Sequence, residues 1–101
     1  MTGQRDTVNV GLIGTKFMVR AHSNAYLTVD KFFDLPTRPV MHTVCARDAG
    51  ETAAFAERWG WANSSTDWEA MATSDEVDLV DVCTPNDMHE PIAAAALEAG
   101  K

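Results

Sequence analysis

The sequence predicts an α/β fold, a doubly wound parallel sheet of about four strands in the order βαβαβαβα. Two observations predict it. Short apolar runs alternate with stretches of helical periodicity along the chain, and a glycine, proline or capping residue stands at nearly every joint between them. Strands separated by helices call for a parallel sheet covered on both faces, with right-handed crossovers.

Taken in order, Val8 to Ile13 reads as a buried strand closed by Gly14. The stretch from Phe17 to about Phe33 carries Met18, Ala21, Ala25 and Val29 on one helical face. Leu35-Pro36-Thr37-Arg38-Pro39 breaks that helix, and Val40 to Cys45 supplies the second strand. Asp48 and Glu51 have capping-box spacing, and Ala53, Phe55, Ala56 and Trp59 extend a second helix to Gly60. A short extended piece at Trp61 to Asn63 forms the third strand. Thr66-Asp67-Trp68-Glu69, again with capping-box spacing, opens a brief helix that ends near Ser74. The fourth strand is Asp78 to Cys83. After Thr84-Pro85-Asn86 an Ala-rich helix closes at Gly100, with Pro91 placed near its start, where a missing N–H costs nothing.

With 101 residues, 46% hydrophobic and 23% charged, the chain is one soluble globular domain able to hold a real core. Its formal net charge of −7 repels phosphate backbones and anionic membranes, so neither nucleic acid nor a membrane is expected as a partner. No apolar run approaches the ~20 residues of a membrane span, and Met1 to Asp6 lacks a signal-peptide core, so the expected location is cytoplasmic. Cys45 and Cys83 lack metal-ligand or redox spacing and read as buried free thiols, with no metal site expected.

Ligands of an open parallel sheet bind beyond the carboxyl ends of its strands, so the chemistry should lie in three turns. The first runs from Gly14 through Thr15, Lys16 and Phe17 to Met18, where backbone N–H groups and a helix N-terminus suit a pyrophosphate. Read as a glycine fingerprint it has Gly14 in the first position, with Lys16 and Val19 in the second and third. Lys16 adds positive charge, whereas Val19 argues against close packing of the first helix. In the second turn Ala46 stands where an acid would bind ribose hydroxyls, and Arg47 follows, which favours a 2′-phosphate and therefore NADP over NAD. Asp48 is read as a helix cap. The third turn places Thr84, Pro85, Asn86 and His89 near the crevice, although as bare residues the last two read more readily as a cap and a surface imidazole. His22 reads as a structural or exposed histidine, and Trp59, Trp61 and Trp68 as packing.

Three stretches, V-G-L-I-G-T-x-F-M-x-x-A-H (Val10–His22), A-F-A-E-R-W-G (Ala54–Gly60) and D-V-C-T-P-N-x-x-H (Asp81–His89), make the chain resemble the Gfo/Idh/MocA oxidoreductases over nearly its whole length. The resemblance implies a Rossmann-like, NAD(P)-binding domain at residues 1–101. It further implies reversible hydride transfer to or from a sugar, inositol or related polyol, with Thr84, Pro85, Asn86 and His89 toward the nicotinamide. In that family a fifth strand, an E-K-P motif with the catalytic lysine and a substrate domain follow. The chain is therefore expected to be an incomplete, inactive cofactor part with no catalytic residue of its own.

Two other readings stay open: a noncatalytic dinucleotide-binding or truncated module, and an assembly element whose fourth strand, at an exposed sheet edge, pairs in a homo-oligomer. A charge at Val80 or Val82 would test the second.

Overall fold

A computed structural model describes residues 7–14, 16–34 and 36–101, apart from the side chains of Lys16, Phe17 and Asn86. The elements alternate as expected: β1 (Thr7–Gly14), α1 (Lys16–Phe32), β2 (Arg38–Cys45), α2 (Ala49–Trp59), β3 (Asn63–Ser65), α3 (Trp68–Thr73), β4 (Leu79–Cys83) and α4 (Asn86–Glu98). The four strands form one sheet in the order β3-β2-β1-β4, every pair parallel.

Alternation along β1 divides the interior in two, because successive side chains of a strand point to opposite faces. On one face Val10 and Leu12 meet Val19, Val44, Ala56 and Trp61, with Tyr26 and Phe55 against them. On the other, Ile13 meets Cys45, Met71, Val77 and Ile92, with Trp68, Val80 and Val82 alongside. The helices α1 and α2 thus cover one face and α3 and α4 the other. Val19, which threatened the packing of α1, is instead part of the core at 1% exposure.

Polar clamps fix the register. The Asn9 backbone N–H donates to Asp78 Oδ2 at 2.8 Å, its side-chain amide donates to the Glu76 carbonyl at 2.8 Å, and Asp78 N–H returns a bond to the Asn9 carbonyl. In the first core the Trp61 indole N–H donates to the buried Ser23 hydroxyl at 3.0 Å, and Tyr26 meets Trp61 edge-on.

Several boundaries differ from the sequence reading. The third strand is Asn63–Ser65, not Trp61–Asn63. The Trp61 N–H completes the helix end at the Ala56 carbonyl, beside a left-handed Gly60, and its ring enters the core, so pairing starts two residues later. The cap of α3 is Asp67, whose Oδ1 accepts from Ala70 N–H at 3.1 Å, and not Thr66; a carboxylate one residue on outcompetes the hydroxyl. The Asp48 cap of α2 stands, accepting from Glu51 N–H at 2.8 Å. The second strand begins at Arg38 and takes in Pro39, whose missing N–H is tolerated at the end of the ladder. Pro91 lies inside α4, more than a turn beyond its start, because the helix begins at Asn86. Gly100 does close that helix, at φ +80°.

Candidate functional site

Three strands deliver their carboxyl ends to the same place. The last residue of β1, Gly14, pairs with the last of β4, Cys83, and β2 ends beside β1 with Ile13 opposite Cys45. Gly14 has φ +147°, and a Cβ there would lie 2.5 Å from the Cys83 carbonyl oxygen, a backbone atom that cannot swing aside. Only glycine allows the β1–α1 and β4–α4 turns to approach this closely.

Beyond these ends opens a cavity of about 370 Å³, lined among others by Gly14, Arg47, Trp68, Thr84, Pro85 and Met88. The Thr84 hydroxyl in its wall is buried and, among the described residues, has no hydrogen-bond partner. A buried polar atom left unpaired costs about 1–3 kcal/mol, so this hydroxyl is a candidate to bond a ligand or a water in the cavity. Arg47 is exposed and, among the described residues, forms no ion pair, which leaves its guanidinium free for an anion. Asp48 caps α2, its Oδ1 accepting from the Glu51 N–H.

Of the sequence candidates, the structure brings Gly14, Arg47, Thr84 and Pro85 onto one cavity wall. Thr15 lies outside the described residues, as do the side chains of Lys16, Phe17 and Asn86. Met18 is half exposed on the first turn of α1. His89 is exposed, and its Nε2 lies 2.7 Å from the Thr84 carbonyl, so the imidazole braces the turn that carries the unpaired hydroxyl. The sequence reading missed Trp68, Met88 and Thr66 in this wall. Trp68 looked like packing, and it does pack against the second core, but its ring also borders the cavity. Cys45, buried beneath the cavity, has its thiol pushed up to about 11, first by burial and then by the nearby Asp67 charge.

A second polar group lies on the α1 face of β4. Asp81 and Cys83, two apart on the strand, face the helix, where His22 and Tyr26 stand one turn apart. His22 Nδ1 is 2.6 Å from Asp81 Oδ2, and the Tyr26 hydroxyl donates to the same oxygen at 2.7 Å. Cys83 Sγ lies 3.3 Å from His22 Nδ1 and donates to Asp81 Oδ1 at 3.6 Å. Burial, reinforced by Asp81, pushes the Cys83 thiol up to about 12 and raises the Tyr26 phenol above its ordinary range. His22 thus belongs to a constellation that linear spacing did not reveal.

Comparison with known proteins agrees with this geometry. A family profile described as an oxidoreductase family with an NAD-binding Rossmann fold matches residues 8–101. The chain is 42% identical over 95 residues to the levoglucosan dehydrogenase of Pseudarthrobacter phenanthrenivorans, covering 93% of this chain and 24% of that protein. It is 30% identical to the inositol 2-dehydrogenase of Corynebacterium glutamicum over 94 residues, again 93% of this chain and 26% of the relative. Among solved structures, a levoglucosan dehydrogenase in complex with NADH and L-sorbose superposes with a TM-score of 0.92 at 41% identity, over 96% of this chain and 26% of that one. An oxidoreductase domain protein from Kribbella flavida gives 0.91 at 48% identity, over 96% and 25%. The chain therefore spans about a quarter of the length of the relatives it matches. Among the described residues no helix is long and apolar enough to cross a membrane.

Proposed function

The chain belongs to the Gfo/Idh/MocA oxidoreductases, and from that membership we propose that it holds the nicotinamide dinucleotide of an enzyme transferring hydride to or from a sugar, inositol or related polyol. The residues from Gly14 through Thr15, Lys16, Phe17 and Met18 receive the pyrophosphate at the start of α1, where helix N–H groups and the Lys16 charge favour an anion. Arg47 takes the adenosine ribose or its 2′-phosphate. Thr84 and Pro85 wall the cavity between these two, and Asn86 and His89 lead toward the nicotinamide. The bound dinucleotide supplies the hydride chemistry; these residues bind and orient it and keep water from its buried face. None is assigned a catalytic role: proton transfer falls to the lysine of the family's E-K-P motif and the substrate contacts to its substrate domain.

The Thr84 hydroxyl, unpaired among the described residues and set in the cavity that Gly14 and Arg47 also line, is the observation that carries this reading. The preference for NADP rests on Ala46 and Arg47, since the levoglucosan dehydrogenase relatives were solved with NADH. Two free thiols suit a reducing compartment, and the proposed location is the cytoplasm.

Calorimetric titration of the purified chain with NADPH and NADH, repeated for Arg47→Ala, tests both parts. NADPH is expected to bind more tightly, and Arg47→Ala to weaken it by roughly tenfold or more while changing NADH little. Tighter NADH binding, with Arg47→Ala affecting both alike, would refute the NADP preference. A folded chain that binds neither dinucleotide would refute the cofactor reading.

A further inference from the structure

We propose that His22, Asp81 and Cys83 form a transition-metal site, open on one side, that takes zinc. Imidazole nitrogen, carboxylate oxygen and thiolate sulfur are the three donor types zinc accepts, and here they converge within 4.8 Å of one another from only two elements. Magnesium and calcium, which need oxygen ligands, do not fit this set.

The geometry is close to that of a bound site. Bonds of about 2.0–2.3 Å to a tetrahedral zinc place neighbouring donors roughly 3.2–3.8 Å apart. The separation from Cys83 Sγ to His22 Nδ1, 3.3 Å, already lies in that range, and Cys83 Sγ is 3.6 Å from Asp81 Oδ1, one of the two carboxylate oxygens; one donor atom from each residue lies within 4.8 Å of the others. The 2.6 Å between His22 Nδ1 and Asp81 Oδ2 is a hydrogen bond that would open by less than about 1 Å as the ion takes the Nδ1 lone pair and the ring proton sits on Nε2.

Two further features complete the arrangement. The Tyr26 hydroxyl, donating to Asp81 Oδ2 at 2.7 Å, is an outer partner of the kind that orients metal-binding carboxylates. A groove of about 510 Å³, lined by His22, Tyr26 and Asp81 with Leu79, Val80 and Val82, reaches the cluster from solvent and gives access and room for a water as fourth ligand. Binding replaces the thiol proton of Cys83, which leaves to solvent, while His22 binds the ion through Nδ1 with its ring proton on Nε2 and the Asp81 carboxylate turns from that nitrogen to the ion. None of the three donors lines the cavity assigned to the dinucleotide, so the two proposals stand or fall separately.

The test uses the purified, metal-free chain, titrated with cobalt(II) as a spectroscopic probe and with zinc(II) against a chromophoric chelator. One cobalt per chain is expected, with the near-ultraviolet charge-transfer band of a thiolate ligand and the intense visible bands of four-coordination, both abolished by zinc. Cys83→Ser should remove the charge-transfer band, and both it and His22→Gln should weaken zinc binding by more than about tenfold; Cys45→Ala should leave both readouts in place. Cobalt bound without the thiolate band, or a folded native chain that binds no zinc at micromolar concentration, would overturn the site. So would zinc affinity equal to the native chain's in Cys83→Ser. The spectrum of the native chain decides the matter even if a variant fails to fold.

Discussion

Thr84 separates stability from binding at a single atom. Replacing it by Val keeps the shape and deletes a buried hydroxyl that has no partner among the described residues, so the unliganded chain is expected to gain on the order of 1 kcal/mol. Dinucleotide affinity is expected to fall, and thermal melts with and without NADPH read both effects. Gly14→Ala moves both in the same direction: the new methyl meets the Cys83 carbonyl, and φ +147° is unfavourable for alanine, at a cost of about 2–3 kcal/mol. A chemical-denaturation midpoint unchanged from the native chain would contradict that close approach. Cys45 ties stability to pH. Its thiol is raised in the fold from 9.0 to about 11, so its contribution is complete below about pH 9 and lost as pH climbs through about 11. Alkaline denaturation should show that limb, and Cys45→Ala should flatten it. Gly14 and Arg47 were legible in the sequence because a strand end followed by a helix start limits where ligands can go. Trp68 was not, because a ring that packs a core and borders a cavity has the same local pattern as one that only packs.

At the scale of elements, all eight and their order follow from alternating apolar runs and capping residues, while boundaries moved where long-range contacts decided them. Trp61 left the third strand because a core position and a bond to Ser23 reward its burial more than a sheet edge would. Among the described residues the fourth strand lies at an edge of the sheet, paired with β1. Its proposed probes do not hold, however: Val80 and Val82 pack against the second core, so a charge there would break the fold before it blocked pairing. Leu79, 43% exposed, is the better position. If this edge joins two copies, sedimentation is expected to show concentration-dependent association that Leu79→Lys abolishes with the circular dichroism unchanged. A native chain that stays monomeric at high concentration would rule the edge out as an interface.

The molecule as a whole is one sheet between two cores, and β1 is the wall they share. Its neighbours come from very different distances along the chain. β2 follows after a single helix, whereas the clamp to the far side of β1 joins Asn9 to Asp78, 69 residues away. Contacts that close long loops form late, because their entropy must be spent before they stabilise anything. The β1–α1–β2 unit can therefore gather early during synthesis, with Val10, Leu12, Val19 and Val44 already in reach of one another. The cavity cannot, since Thr84 and Pro85 arrive only with β4. Ligand affinity should thus appear in one step, late in refolding, after most helical signal has returned, and a dinucleotide should slow unfolding more than it speeds folding.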